Sequence, residues 1–446
     1  MAVSARRRVQ GWYFFDFASQ PYNTLLLTFI FGPYVASVLN DGTAAQTIWG
    51  FGIGAAGFLV AVSAPLLGAI ADNAGKRMPF IWLFSLLYVL GAWGLWFAAP
   101  QDFNVWLVML AFGIGLIGME FATIFTNAML PDLGPRDQIG RISGSGWAFG
   151  YVGGVISLIL MLTLFAEGPN GVTLIGMAPI LGLDPALREG TRAVGPFTAI
   201  WYVVFMIPFF LWVREPRRPG AMRMGQAARA AWPELRGTLR SLPRRPSLFS
   251  FLGASMFYRD ALNGMFVFGG IYAVGVLGWT VTDVGIFGIL AAITGAIFAW
   301  LGGRADSRFG PKPVLVVCVL VLTLVAIGVV FVSREAVFGI AVGPDSALPD
   351  IAFYTLGAMI GAAGGALQSA SRTMMVRQAD PAKMTEAFGL YALAGKATSF
   401  VAPLLIGVTT GLSGSQQVGV TPLIGLFLLG LVLLVFVKSD GDRLPA

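Results

Sequence analysis

The sequence predicts an all-α integral membrane protein in which twelve transmembrane helices form two six-helix bundles, with both termini on the cytoplasmic side. Three observations lead there. Hydrophobic residues make up 57% of the 446-residue chain and charged residues only 11%, against about 45–50% and about 25% in a soluble domain. The apolar residues gather into twelve runs, each near the roughly 20 residues that a helix needs to cross a bilayer. Finally, two segments about half a chain apart resemble each other: GAIADNAGKR, from Gly68 to Arg77, and GGRADSRFGPK, from Gly302 to Lys312.

The runs fall at residues 12–39, 47–71, 79–99, 103–129, 144–165, 196–213, 248–277, 282–303, 313–333, 351–375, 388–411 and 419–437. The charges between them set the topology. With both ends inside, the cytoplasmic segments hold 24 basic residues and the opposite side holds three, Arg188, Arg192 and Arg334. That asymmetry is the positive-inside rule. The net charge of +7 therefore needs no nucleic-acid partner. The Arg6-Arg7-Arg8 cluster reads as the flank of an uncleaved first span rather than as a secretory signal. The one cysteine, Cys318, lies in the ninth run and excludes an internal disulfide.

The segment 214–247 carries nine arginines and no lysine, with Pro216, Pro219, Pro233, Pro243 and Pro246 punctuating it. It divides the chain into a first bundle at 1–213, a basic cytoplasmic linker at 214–247 and a second bundle with a short tail at 248–446. Its middle, 222–242, has the pattern of an amphipathic helix. Such a helix either lies on anionic headgroups or is a solvated linker. Gly32-x-Tyr34 with Val38-Leu39 is matched by Gly270-x-Tyr272 with Val276-Leu277, and the spacing of Gly144 and Gly150 is matched by Gly389 and Gly395. These pairs favour two parallel repeats of six helices. The 167–194 segment, longer than the other outer loops, has no role legible in its residues.

Two GxGxxG strings, Gly52 to Gly57 and Gly113 to Gly118, lie inside apolar runs. A dinucleotide fingerprint needs a strand before it and a water-exposed helix start, so these glycines are read as helix-packing positions. No phosphate-binding GxxxxGK[ST] loop, metal cluster or catalytic constellation is present. The chain is read as a non-enzyme with no cofactor and no metal.

The residues that carry chemistry are the ionisable ones inside the runs, because a charge at bilayer depth costs about 2.5–3.5 kcal/mol and normally faces a cavity or a partner. They are Asp16 in run 1, Glu120 in run 4, Arg259 and Asp260 in run 7, and Lys396 in run 11, joined by Gln368 and Arg372 in run 10. Tyr22, Asn23 and Asn127 complete the substrate or proton-coupling candidates. Histidine is absent, so proton coupling would use carboxylates. At 1.5 Å per residue, Glu120 and Lys396 are each roughly 12–14 Å deep, in one layer. Arg259 and Asp260 are consecutive and point about 100° apart. Asp16 follows Trp12, read as an interface anchor, by four residues, so a snorkelling role competes with coupling.

The paired loop segments resemble the signature that major facilitator superfamily transporters carry after helix 2 and again after helix 8. The resemblance implies that Gly68, Asp72, Gly75 and Arg77, with Gly302, Asp306, Gly310 and Lys312, form gating motifs. In that scheme Asp72 faces the start of helix 11, Asp306 faces helix 5, and Arg77 and Lys312 are the candidate counterions. It also makes runs 1, 4, 7 and 10 the cavity-lining helices. FDFASQPYNTLLLTFIFGPY, FTNAMLPDL, GRISGSGWAFGYVGG, FYRDALNGMFVFGGIYAVGVLG, GGALQSASRTMMVRQADP and EAFGLYALAGKATSFVAPLLIG resemble a narrower family, that of fungal vacuolar amino-acid effluxers. This implies a secondary transporter that moves amino acids or related small metabolites, in the efflux direction, with protons as candidate coupling ion. A monomer in a bacterial-type inner membrane is expected, with a small-molecule substrate and the lipid bilayer as its partners. Export of amphipathic or sugar-like compounds, and a non-transporting sensor or scaffold, are the competing readings.

Overall fold

The computed structural model describes residues 3–39, 42–168, 170–216, 220–343 and 345–442; Arg217, Arg218 and Pro219 of the linker lie outside them. Among the described residues twelve helices are long and apolar enough to cross a membrane: Ala5–Leu39, Ile48–Ala74, Met78–Phe97, Val105–Asn127, Arg136–Phe165, Glu189–Trp212, Pro246–Leu277, Asp283–Phe309, Pro311–Val330, Leu348–Gln378, Pro381–Ser413 and Gln416–Val435, here spans 1 to 12. Phe58, Leu90, Leu110, Leu324 and Val432 are exposed on them, as a lipid-facing surface requires and a water-soluble one rarely tolerates.

The helices outrun the apolar stretches that announce them. Span 1 begins at Ala5, where the Ser4 hydroxyl accepts a hydrogen bond from the Arg7 amide, and span 8 carries the whole segment from Gly302 to Ser307 as helix. The turns after spans 2 and 8 close at Gly75 (φ 61°) and Gly310 (φ 86°). Both are left-handed conformations that glycine adopts without a steric penalty. Two of the spans that depart from a continuous α-helix carry several of the site candidates. Span 1 is α-helical to Pro21, π-helical over Tyr22–Phe29, and α-helical again over Phe31–Leu39. Span 11 consists of Met384–Ala397, a break, and Val401–Ser413; these halves are called 11a and 11b.

The chain forms two compact units, Met1–Leu133 with Phe149–Arg229 and Gly134–Ala148 with Ala230–Ala446. This differs from a division at 213 and 248, because the first part of span 5 belongs to the second unit and the linker helix, Met224–Ser241, is shared. In the first unit, span 3 packs on span 4 and span 1 on span 6. Trp12, read from sequence as an interface anchor, is instead fully buried and donates its indole N–H to the Thr126 carbonyl (2.9 Å). In the second unit, span 10 packs on spans 8 and 9, and span 7 on span 12. Span 5 joins it where Gly144 meets Gly303: a Cβ on Gly144 would lie 2.6 Å from the Gly303 Cα.

The repeated tyrosines do the same work in each unit. Tyr34, near the end of span 1, donates to the Ala98 carbonyl just past span 3. Tyr272, near the end of span 7, donates to the Val329 and Val332 carbonyls at the end of span 9 (both 2.9 Å). Both rings are buried, and each hydroxyl caps carbonyls that a helix end leaves without an intrahelical partner.

Candidate functional site

The paired loop segments become two different polar clusters. In the first unit Arg77 is 3% exposed and bridges Asp72 (Nη2 to Oδ1, 3.5 Å) and Asp132 (Nη1 to Oδ2, 3.0 Å). The amides of Arg77 and Met78 donate to the Glu215 carboxylate (2.6 and 2.9 Å), which caps span 3 at the helix end that favours negative charge. Arg8 donates to the Asp132 carbonyl (2.8 Å). Asp132 and Glu215 were not on the sequence's list of candidates, since both lie outside the apolar runs. In the second unit Asp306 is fully buried against Gly140 at the start of span 5. A Cβ on Gly140 would stand 2.5 Å from the Asp306 Cγ, and the Arg141 amide donates to Ser307 Oγ (2.9 Å).

Lys312 is not the counterion of Asp306. It sits in the first turn of span 9 and its Nζ donates to the Val435 carbonyl of span 12 (3.2 Å). The extra residue before Gly310 in the second segment separates the basic side chain from the aspartate it was expected to pair with. Gly302, like Gly303, is a packing position, 2.7 Å being the separation a Cβ would have from the Ala366 Cβ of span 10; Gly68 is buried within span 2.

The interior candidates of spans 7 and 11 converge. Arg259 lays its guanidinium over the Tyr391 ring (4.3 Å from Cζ to the ring centre) and donates from Nη1 to the Tyr391 carbonyl (3.1 Å). It has room because the residue beneath is Gly395, where a Cβ would lie 2.6 Å from the guanidinium carbon. Asp260, 2% exposed, accepts from the Ala402 amide (2.9 Å). The consecutive charges thus address the two sides of the break in span 11, the cation at the C-terminal end of 11a and the anion at the N-terminal end of 11b. Each has the sign that the local helix dipole favours.

Pro403 explains the break: it has no N–H to give and its ring clashes with the carbonyl four residues earlier. Lys396 is the penultimate residue of 11a. It lies deeper from its helix start than the apolar run implies, since 11a begins at Met384. Glu386, in the first turn of 11a, is 1% exposed and was missed because it precedes the run.

In span 10, Arg372 is 3% exposed and donates from Nε to Ser143 Oγ (3.0 Å) and from Nη2 to the Ser143 carbonyl (2.7 Å), with the Trp147 ring 5.5 Å from its Cζ. Gln368, one turn earlier, is half-buried. In the first unit Asp16 is half-buried, well inside span 1, and packs against Gly150, where a Cβ would lie 3.3 Å from its own. It is no helix-end residue. Tyr22 is buried and donates to the Phe112 carbonyl (2.6 Å), while Asn23 Nδ2 points at Met119 Sδ (4.0 Å). Glu120 and Asn127 are half-buried on span 4, Asn127 as its last residue. Of the glycines in the two GxGxxG strings, Gly115 meets the Tyr22 ring and Gly118 meets span 3.

The 167–194 segment proves to be a built element. Glu167 is buried and receives hydrogen bonds from Arg188 Nε (2.9 Å), the Thr191 amide (3.1 Å) and the Thr191 hydroxyl (2.5 Å). Arg192 donates twice to the Trp96 carbonyl (2.6 and 3.0 Å) and stacks on its ring.

Twelve spans, the paired loop segments and a few ionisable side chains placed within the spans define a transporter of the major facilitator class. The fold superposes on FucP, a major facilitator superfamily transporter, with a TM-score of 0.69 over 97% of this chain and 98% of that one at 15% identity. It superposes on the human organic anion transporter MFSD10 with a TM-score of 0.68 over 97% and 99% at 16% identity. At these identities the likeness is one of fold.

The family model described as "Vacuole effluxer Atg22 like" matches residues 43–443, and the chain belongs to that family. An uncharacterized MFS-type transporter of Bacillus subtilis (strain 168), YxiO, is 25% identical over 439 residues, covering 97% of this chain and 95% of that protein. Autophagy-related protein 22 of Cryptococcus neoformans is 24% identical over 302 residues, 66% of this chain and 48% of the relative. The chain spans about half the length of the fungal relatives it matches.

Proposed function

We propose that the chain moves amino acids or related small metabolites out of the compartment it serves, by alternating access and with protons as the coupling ion. The observation that carries the substrate class is the state of Arg259. Among the described residues its guanidinium makes one hydrogen bond, to the Tyr391 carbonyl, and it remains half-buried. Its unused N–H groups form a fork suited to a carboxylate, and the π face of Tyr391 holds the cation in place. The aromatic side chains of span 1 lend less to the reading as an exporter of amphipathic or sugar-like compounds, because they are engaged by aromatic rings of spans 5 and 6: Phe17 stacks on Phe149 (4.5 Å) and Trp201 (5.3 Å).

In this reading both termini are cytoplasmic, residues 1–213 and 248–446 are the two bundles, and 214–247 links them. The clusters around Asp72 and Asp306 are its gates, and a monomer works in a cell membrane. Purified protein in liposomes, supplied with labelled amino acids singly and as a mixture, tests it. Counterflow that disappears in Arg259→Gln supports the reading; equal flux in the variant removes Arg259 from the site. No flux of any amino acid in the parent protein overturns the substrate class.

A further inference from the structure

The break in span 11 leaves the amide of Ala402 with no intrahelical acceptor. In a bilayer such a donor must find a partner within the protein. Asp260 Oδ2 supplies it across from span 7, at 2.9 Å. The other carboxylate oxygen, Oδ1, is buried and has no hydrogen-bond partner among the described residues; nor does the hydroxyl of Thr398, within the break itself. One donor for a carboxylate that is 2% exposed is poor compensation, since buried charges are normally paired and hydrogen-bonded on both oxygens.

The charged surroundings do not make up the deficit. On span 7 the adjoining base is Arg259, whose guanidinium is turned to Tyr391, and the hydroxyls of the nearby Tyr258 and of Ser371 are hydrogen-bonded to each other (2.7 Å). Half-span 11b, the short helix Gln416–Gly419 and the helix Pro422–Val435 all pack on span 7 and carry no ionisable side chain. Half-span 11a carries Glu386, Tyr391 and Lys396. Span 10 carries Asp350, tied to Arg334 (2.8 Å), Tyr354, stacked on Trp279, Arg372, tied to Ser143, and Arg377 near its end. Spans 8 and 9 touch span 7 more lightly. Their ionisable side chains are Asp283 in the first turn of span 8, Arg304, Asp306 and Arg308 towards its end, and Lys312 at the start and Cys318 in the interior of span 9.

We propose that Asp260 Oδ1 is a proton-binding site and that the proton it takes up governs the seat of half-span 11b. The reading rests on the transporter function proposed above. Loading forms one O–H bond at Oδ1 with a proton taken from water on one side of the membrane. Unloading breaks that bond and returns the proton to water, and no other bond changes. Charged, the carboxylate is held by the positive end of 11b and pins that helix to span 7. Neutral, it keeps only an ordinary hydrogen bond to Ala402, and the break becomes the point about which 11b turns. A substrate carboxylate on Arg259 and a proton on Asp260 would occupy adjoining residues without changing their combined charge.

Infrared titration of the purified protein reads the site without any substrate. The carbonyl stretch of a protonated carboxyl group should titrate, move on uniform isotope labelling of aspartate, and lose one component in Asp260→Asn. Asp260→Glu should restore a component at a new frequency, which separates loss of the site from loss of the fold. Ala402→Pro removes the amide donor without touching the acid and should displace the band. An identical titration in the parent and Asp260→Asn overturns the proposal.

In liposomes with labelled amino acids, Asp260→Asn should lose the accumulation that a pH gradient drives, and Asp260→Glu should restore part of it. Gradient-driven accumulation equal to that of the parent overturns the coupling role. Absence of flux in the parent strikes the transporter reading instead, and the infrared result then stands or falls by itself.

Discussion

Gly395 lies directly beneath the guanidinium of Arg259, a glycine of span 11 admitting a charged residue of span 7. A methyl group on Gly395 would occupy space 2.6 Å from the Arg259 Cζ, well inside van der Waals contact.

Gly395→Ala should therefore push Arg259 off the Tyr391 ring. The expected cost is about 1–3 kcal/mol, typical of overpacking, with amino-acid counterflow falling far more than the thermal midpoint. Parallel flux and melting measurements check this; a variant with full flux would show that the guanidinium seat is irrelevant to transport.

Arg77→Gln should destabilise the first unit by about 3–5 kcal/mol, because it removes the buried cation that bridges Asp72 and Asp132. Denaturation in mild detergent reads the loss. A change below about 1 kcal/mol, the scale of an exposed pair, would mean that water reaches the cluster freely.

Glu167→Gln should loosen the loop between spans 5 and 6. The substitution weakens a hub that takes hydrogen bonds from Arg188 and both groups of Thr191, at about 1–3 kcal/mol. Faster nicking by protease between residues 171 and 183, with the helices intact, is the expected readout; unchanged cleavage would argue that the loop is held elsewhere.

Pro403→Ala should heal the break in span 11 by restoring the N–H and relieving the clash with the preceding turn. The protein is expected to melt at a higher temperature and to transport more slowly. Flux equal to that of the parent would indicate that the break has no part in the cycle.

Much of this fold is legible in the residues. Twelve apolar runs announce twelve spans, and the paired Gly-x-Tyr patterns mark where each unit caps its third helix. The ends of the helices are less legible, because Arg6 to Arg8, or Arg141 and Ser143, continue a helix without being apolar. The break in span 11 was written in Pro403, yet an apolar run from 388 to 411 reads as continuous when hydropathy alone is followed. Arg259 and Asp260 could be expected to point apart, as consecutive helical residues do. That both would turn to span 11, one on each side of its interruption, depended on packing between helices far apart in sequence. The same is true of Glu167, whose partners lie more than twenty residues away, and of Lys312, whose sequence pattern suggested a partner that its helix start denies it.

The glycine seat under Arg259 has a consequence for descent. A notch defined by a missing side chain does not specify which residue fills it, and at Gly395 it admits a guanidinium. A single exchange at position 259 would alter the polarity presented there while leaving the glycine of span 11, and with it the helical frame, untouched.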